Sequence, residues 1–245
     1  MFIHYQSSGF ILEKKDIREA DRIFTFYTNE FGKLRFLAKG ARKIKSKLRG
    51  GLKLFAFSEI EFIQGKGYKT LTDSVIKSEF VRISSSLIKL KIAHKIAEVL
   101  NNLTKEEDPD KKIWELLKNT LEELNNCQPK AGICRLIYYY YFWNLIDFIG
   151  VKPSIYNCVL CQKKLSLPPF YFSSNQGGIL CKKCFDNTKE GASINLETIK
   201  ILRLILKRDW SFLLKVKLNQ EHLRSLKIVT DSYYFYLLQE LSTME

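Results

Sequence analysis

The sequence predicts an α+β protein in which a small β-barrel precedes a helical domain. Three observations support this fold class. Within residues 1–80, short segments rich in β-branched and aromatic side chains alternate with turns that contain glycine or asparagine. From about Ser84, apolar residues recur at the three- and four-residue spacing of helices. Two closely spaced pairs of cysteines then interrupt the helical part.

The first 80 residues contain the segments expected of a small barrel. The predicted strands cover residues 9–15, 22–28, 33–38, 58–64 and 68–76. Tight turns are predicted at 29–32 and 65–67, where asparagine and glycine occur. Such short strands in so short a stretch favour a closed barrel of the oligonucleotide-binding (OB) kind, because closure leaves no exposed sheet edge.

A strongly basic segment occupies residues 32–57, which contain nine Lys or Arg residues and no Asp or Glu. The positive charges of such a run repel one another, and no neighbouring acidic residue offsets that repulsion. The pattern therefore favours binding to nucleic acid. The candidate nucleic-acid contacts are Lys33, Arg35, Lys39, Arg42, Lys43, Lys45, Lys47 and Arg49.

Aromatic residues near this basic segment allow two interpretations. The residues concerned are Phe24, Phe26, Phe36, Phe55 and Phe57. Exposed rings beside positive charge are the means by which proteins hold single strands without reading the bases. Phenylalanine is more often buried, so the barrel core is the favoured place for each of them.

The chain as a whole is also basic. Its 40 Lys and Arg residues against 26 Asp and Glu residues give a net charge of +14 and a pI near 9.4, which favours polyanionic partners. The longest apolar run, 136–150, is interrupted by Asn144 and Asp147 and falls short of a membrane span. The first residues lack the charged and apolar regions of a signal peptide. We therefore expect a soluble, cytoplasmic protein without membrane contact.

Two domains are expected: an OB-fold domain at 1–80, and a helical domain at 81–245 that carries a zinc-binding segment at 153–190. Within the helical domain, six consecutive aromatic residues occupy positions 138–143. They cannot all face one side of a helix, so part of the run is expected to lie under a neighbouring module or at a partner surface, and packing beneath the barrel or the zinc loop is favoured. The predicted helix N-caps are Asp108, Asn195 and Asn219.

The cysteine pairs have the spacing of a metal site. They are Cys158-x-x-Cys161 and Cys181-x-x-Cys184, with nineteen residues between them. Two thiolates in a tight turn can bind one ion, and two such pairs complete a tetrahedron around zinc. No open ligand position is evident, so we expect one structural Zn²⁺. The alternatives are two disulfides, which need an oxidising compartment, or four unrelated buried cysteines.

Motifs typical of several enzyme classes are absent from the sequence. There is no Gly-x-x-x-x-Gly-Lys-Ser/Thr loop, no Gly-x-Ser-x-Gly elbow and no His-Glu-x-x-His, and the three histidines are scattered. Glu59, Glu61 and Asp73 could share magnesium in a nuclease site. Alternating carboxylates on a strand are more often its solvent face, so we expect no catalytic activity.

Taken together, these features resemble the RecO family of bacterial DNA repair and recombination mediators over nearly the whole chain. On the N-terminal side the resemblance lies in Gly-Phe-Ile-Leu at 9–12, Glu-Ala-Asp-Arg-Ile at 19–23, Gly-Lys at 32–33, Ala-Lys-Gly-Ala-Arg-Lys at 38–43 and Lys-Ser at 45–46. On the C-terminal side it lies in Gly-Val-Lys-Pro at 150–153, both cysteine pairs, Phe-Ser at 172–173 and Gly-Gly at 177–178. One departure is Gln162, where the family often has glycine.

The resemblance implies an OB-fold that binds single- and double-stranded DNA, and a protein that anneals complementary strands without a catalytic site. It also implies cooperation with RecR in loading the RecA recombinase onto strands coated by single-strand-binding protein, with RecF as a further partner. The implied location is the nucleoid. The DNA-binding role carries over most directly to the basic residues between Lys33 and Arg49.

Two other functions fit parts of the sequence. An OB-fold RNA-binding or translation-associated zinc protein would share the basic barrel and the cysteines. A zinc-finger DNA enzyme of the formamidopyrimidine glycosylase type would also share them, but it needs an N-terminal proline as nucleophile, and Phe2 occupies that position.

Overall fold

The computed structural model describes residues 3–65, 67–216 and 218–243, without the side chains of Arg49 and Ala131. The chain divides into two compact units, one ending at Pro129 and one beginning at Lys130. The first contains a closed barrel followed by helices, and the second is helical with a small sheet beside the cysteines. The predicted fold class is confirmed. The predicted domain boundary at residue 80 falls within the first unit and stays a prediction.

The barrel consists of β1 (His4–Ile17), β2 (Asp21–Thr28), β3 (Gly32–Ala38), β4 (Phe57–Ile63) and β5 (Lys69–Ser78). It closes in the order β1-β2-β3-β5-β4, with antiparallel neighbours except for β3 and β5, which are parallel. A 3₁₀ helix, Lys47–Gly51, lies between β3 and β4. Each of the five predicted strands is present.

Alternating residues of the strands fill the inside of the barrel. Its buried core contains Ile11, Phe24, Phe26, Leu34, Phe36, Ile60, Phe62 and Leu71. Successive side chains of a strand point to opposite faces, so the phenylalanines at 24 and 26 on β2 share the inner face with the one at 36 on β3. Phe55 is also buried, and Phe57 is half-buried. The interpretation as barrel core is therefore confirmed for Phe24, Phe26 and Phe36. Phe55 and Phe57 lie outside that cluster, with ring centroids 5.0 Å from His94 and 6.1 Å from Trp114, respectively.

Three helices complete the first unit: α1 (Val81–Ser84), α2 (Leu87–Leu103) and α3 (Lys111–Asn126). The carboxylate of Asp110 caps α3, accepting hydrogen bonds from the backbone N–H groups of Lys112 (2.6 Å) and Ile113 (3.0 Å). The predicted cap at Asp108 was wrong, because the helix begins two residues later. On α3, the ring of Trp114 packs 5.2 Å from that of Phe10, which ties the helix to the barrel.

The second unit contains α4 (Ala131–Phe148), β6 (Phe170–Ser173), β7 (Gly178–Cys181), α5 (Lys182–Thr188), β8 (Ala192–Ile194), α6 (Leu196–Leu206), α7 (Trp210–Leu213) and α8 (Gln220–Thr243). The three strands form an antiparallel sheet in the order β7-β6-β8. Asn195 caps α6 as predicted, and the Asn219 side chain accepts from the backbone N–H of His222 at the start of α8. Among the described residues, none of the helices combines the length and apolarity needed to span a bilayer.

The aromatic run of α4 lies at the centre of the second unit. Trp143 is fully buried; its indole N–H donates to the Thr230 hydroxyl (3.0 Å), and its ring stacks on that of Tyr233 at 5.8 Å. Phe172 of β6 meets the same indole edge-on at 6.1 Å. Trp143 therefore packs against α8 and against β6, a strand of the predicted zinc-binding segment 153–190.

Candidate metal centre and nucleic-acid interface

The four cysteines converge on one point. The sulfur atoms of Cys158, Cys161, Cys181 and Cys184 all lie within 4.8 Å of one another, and the Cys161 and Cys181 sulfurs are 3.9 Å apart. Four thiolates that bind zinc at about 2.3 Å in a tetrahedron have sulfurs roughly 3.8 Å apart. The cluster therefore has the donor type and the spacing to hold a metal ion.

Backbone hydrogen bonds shape the turn that carries the first cysteine pair. The N–H of Gln162 donates to the carbonyl of Cys158 (2.9 Å), and the N–H of Cys158 donates to the carbonyl of Lys163 (2.9 Å). Gln162 adopts a left-handed φ of 59°, a conformation that glycine adopts without strain. This geometry gives a physical reason for the glycine that the resemblance leads one to expect at this position.

The second cysteine pair lies where a strand passes into a helix. Cys181 ends β7, and Cys184 lies in the first turn of α5. The N–H of Val159 donates to the carbonyl of Ile179 (2.8 Å), which brings the first pair alongside β7. At Gly178 a Cβ atom would lie 2.5 Å from the carbonyl oxygen of Ser154, so this position admits no side chain without displacing that backbone.

The electrostatics of the thiols differ across the cluster. Burial alone would raise the pKa of Cys158, but backbone N–H groups of Cys161, Cys181 and Leu160 point at its sulfur and lower that pKa to about 6. Burial, together with the neighbouring sulfurs, raises the pKa of Cys184 to about 12. A bound divalent cation would hold all four as thiolates.

The basic segment divides into residues with different surroundings. Lys33 is only 4% exposed, and its ammonium donates to the backbone carbonyls of Asn101 (2.6 Å) and Thr104 at the C-terminal end of α2. Burial lowers the pKa of Lys33. The expectation that Lys33 belongs to an exposed positive surface is therefore corrected, because this side chain closes the end of a helix.

Two arginines of the segment have acidic partners from distant parts of the chain. The Arg35 Nε lies 2.8 Å from a Glu106 carboxylate oxygen, and the Arg42 Nε lies 3.6 Å from an Asp16 carboxylate oxygen. The sequence showed no acidic residue near them, so the expectation of an unbalanced charge run needs correction at these two positions. Both side chains remain exposed.

The remaining lysines form what we call the lysine loop: Lys39, Lys43, Lys45 and Lys47. All four are exposed, and within the described part of the chain no carboxylate lies at ion-pair distance from any of them. The backbone of this loop is held at the turn between β1 and β2, where the N–H of Gly40 donates to the Asp21 carboxylate (2.8 Å). The side chain of Arg49 lies outside the described residues.

The carboxylates considered for a nuclease do approach one another. Glu61 and Asp73 are cross-strand partners on β4 and β5, and with Glu59 and Glu30 they line a pocket of about 330 Å³. Glu59 pairs with Lys77, at 2.9 Å. Among the described residues, the group with the geometry to hold a metal is that of the four cysteines.

A shallow groove lies on the outer face of β1, β2 and β3, and the sequence did not point to most of its residues. Its volume is about 310 Å³, and it is lined by Glu13, Lys15, Ile23, Thr25, Arg35 and Tyr68. Of these residues, only the arginine was among the sequence candidates. The others come from several strands, and their convergence depends on strand register.

Family comparisons cover both units. A family model described as Recombination protein O N terminal matches residues 1–80, and one described as Recombination protein O C terminal matches residues 84–243. The DNA repair protein RecO of Dehalococcoides mccartyi is 34% identical over 236 residues, which are 96% of this chain and 91% of that protein.

More distant relatives extend over the same length. The DNA repair protein RecO of Desulforamulus reducens is 29% identical over 242 residues, covering 98% of this chain and 93% of that protein. That of Halalkalibacterium halodurans is 27% identical over 230 residues, covering 94% and 88%. With both family models matched in sequence order over a barrel and a cysteine-bearing helical part, the chain belongs to the RecO family.

Proposed function

We propose that this protein binds DNA during repair and recombination, anneals complementary strands, and helps to load a recombinase onto single strands coated by single-strand-binding protein. The observation that carries the proposal is the lysine loop beside an OB-like barrel in a member of the RecO family. The relatives named above are DNA repair proteins, which supports DNA as the polyanion.

A positive loop of this kind explains annealing without nucleotide hydrolysis. Each phosphate that a lysine neutralises releases condensed counterions, so the loop gains affinity for any strand independently of its sequence. Two strands held beside the same positive surface repel each other less, and base pairing then supplies the specificity. No side chain is required to perform a chemical step, and we assign none as catalytic.

We further propose one structural Zn²⁺ held by Cys158, Cys161, Cys181 and Cys184. When bound, the ion supplies folding free energy to the segment that contains these cysteines. We propose RecR as a protein partner, with single-strand-binding protein, RecF and RecA as further ones, and the nucleoid as the place of action. These partners follow from membership of the family rather than from any surface described above.

The test uses the double variant Lys43→Glu with Lys45→Glu. Both lysines are exposed and have no ion-pair partner among the described residues. On single strands the log–log salt slope of binding is about −0.7 per phosphate contact, so losing two contacts should flatten it by roughly 1.4. Affinity should fall for all sequences alike, and annealing of protein-coated complementary strands should slow with it. The control is Lys111→Glu with Lys112→Glu, which changes net charge equally at exposed positions at the start of α3.

The outcome decides between three alternatives. Weakened binding and annealing in the loop variant alone supports the proposal. Equal binding by both variants and the parent at about 0.1 M salt, where only close contacts act, places the DNA site elsewhere. Tighter binding of the parent to structured RNA than to either form of DNA would favour the RNA-binding alternative.

A further inference from the structure

Strand register assembles the groove on the outer face of the barrel. Thr25 of β2 pairs with Glu13 of β1 on one side and with Arg35 of β3 on the other. The next outward row joins Lys15, Ile23 and Leu37 in the same way. Since the residues between these positions on β2 and β3 fill the core, both rows face outward.

The floor and the charges of the groove differ from those of an ordinary polar sheet face. Ile23, which lines the groove, and Leu37, its cross-strand partner, are half-buried and form an apolar strip on this face of the sheet. Lys15 and Arg35 provide two positive charges. Opposite them are the carboxylates of Glu13, which accepts a hydrogen bond from Asn101 (3.4 Å), and of Glu106, which pairs with Arg35 (2.8 Å). Because an exposed ion pair of this kind contributes little, a ligand with flat apolar parts and negative charge can take the place of Glu106 at Arg35.

Tyr68 provides the aromatic ring of this groove. Lys69, the next residue, begins β5 and pairs with Phe36, which places the tyrosine beside Arg35. Its side chain is 48% exposed, whereas every other described aromatic residue up to position 80 is buried or half-buried. Among the described residues, no other ring packs against it. The ring is thus available to a ligand.

The groove leads towards the lysine loop. On β3 the outward positions are Arg35 and Leu37, and the strand ends at Ala38. Lys39, the first residue of that loop, follows directly, about 13 Å from Arg35 at most at about 3.3 Å per residue. The outer face of the second and third strands is also where OB-folds bind oligonucleotides. A bound strand can therefore place a base at one end and phosphates at the other.

We propose that Tyr68 stacks on a base of single-stranded DNA that lies in this groove, with its phosphates directed to Lys15, Arg35 and the lysine loop. This inference rests on the proposed function and assigns a base contact within it. Stacking on an aromatic ring tolerates every base, so it adds affinity for single strands without adding sequence preference. It also separates single strands from duplex, whose bases are already stacked.

The test compares Tyr68→Ala and Tyr68→Phe by fluorescence anisotropy, with a labelled oligothymidylate and the same backbone carrying abasic sites as probes. Loss of one stacked base should weaken binding of the alanine variant to oligothymidylate about fivefold or more. The phenylalanine variant should bind as the parent does, and neither should change affinity for the abasic strand or the salt slope. Tyr156→Ala, which removes an equally exposed tyrosine of the second unit, is the matched control.

Each other result would overturn the assignment. Parental affinity in Tyr68→Ala, while Lys43→Glu with Lys45→Glu binds weakly, would remove the stacking role and leave the proposed function in place. Equal losses in Tyr68→Ala and Tyr68→Phe would show that the hydroxyl acts and the ring does not. Absence of any binding by the parent would overturn both the groove and the proposed function.

Discussion

Replacing Lys33 by Met tests whether this lysine holds the fold together or contacts DNA. The methionine side chain is similar in length and apolar, so it fills the same space without a donor. The ammonium of the parent donates to two carbonyls at the end of α2, and the side chain is 4% exposed. The variant therefore leaves two carbonyl oxygens without their charged donor.

The size of the effect follows from these two contacts. Each buried acceptor left unsatisfied lowers the free energy of unfolding by about 1–3 kcal/mol. Part of this loss is offset, because the variant no longer buries an ammonium group. The net loss in the free energy of unfolding is therefore about 2–4 kcal/mol. For domains of this size range, 1 kcal/mol corresponds to a change of roughly 2–8 °C in Tm. We expect the melting temperature of the first unit to fall by about 10 °C.

Thermal unfolding and DNA binding, measured on the same samples, separate the two roles. Lys33→Met should unfold at a lower temperature than the parent. Below its unfolding temperature it should bind single strands with the parental salt slope. Lys43→Met, at an exposed position, should show the opposite pattern, with parental melting and a slope about 0.7 smaller in magnitude. If Lys33→Met melts as the parent does and loses slope, Lys33 contacts phosphate and the structural role is refuted.

Three further predictions concern the metal centre and the groove. Elemental analysis of the purified protein should find about one zinc per chain, and Cys181→Ser should lower both the zinc content and the melting temperature; a folded parent without metal would contradict this. Gly178→Ala should cost about 1–3 kcal/mol in chemical denaturation, because the new Cβ would lie 2.5 Å from the Ser154 oxygen, and an unchanged midpoint would show that this backbone can move. Glu106→Gln should free Arg35 and tighten single-strand binding by up to about fivefold in anisotropy titrations, whereas weaker binding would mean that the ion pair positions the arginine.

The sequence was sufficient for the features that depend on local pattern. Strand positions follow from the alternation of apolar residues and from turn residues, and the asparagine caps of α6 and α8 follow from the preference of a short side chain for the first free N–H groups. The cysteine cluster was also predictable, because a Cys-x-x-Cys pair sets its own geometry within one turn. The same reasoning failed at Asp108, since Asp110 lies two residues further and also satisfies the cap rule.

Features that depend on register and long-range packing were not predictable in this way. Lys33 looks like any member of a basic run, and only the position of α2 against β3 shows that its ammonium caps a helix. Tyr68 is the first residue of the predicted strand 68–76, with nothing to distinguish it there, and its place in the groove requires the parallel pairing of β3 with β5. The sequence gives the identity of both residues, whereas the fold determines which residues they contact.

Ion pairs between residues distant in sequence were also not predictable, and they determine which basic residues are free to bind phosphate. A basic run is judged by its sequence neighbours, whereas folding brings Asp16 to Arg42 and Glu106 to Arg35. Exposed ion pairs of this kind contribute little to stability, so their carboxylates can yield to phosphate at small cost. The lysine loop pays no such cost, because no described carboxylate is paired with it. Phosphate should therefore engage the loop first, and the two arginines should join only when a strand extends into the groove.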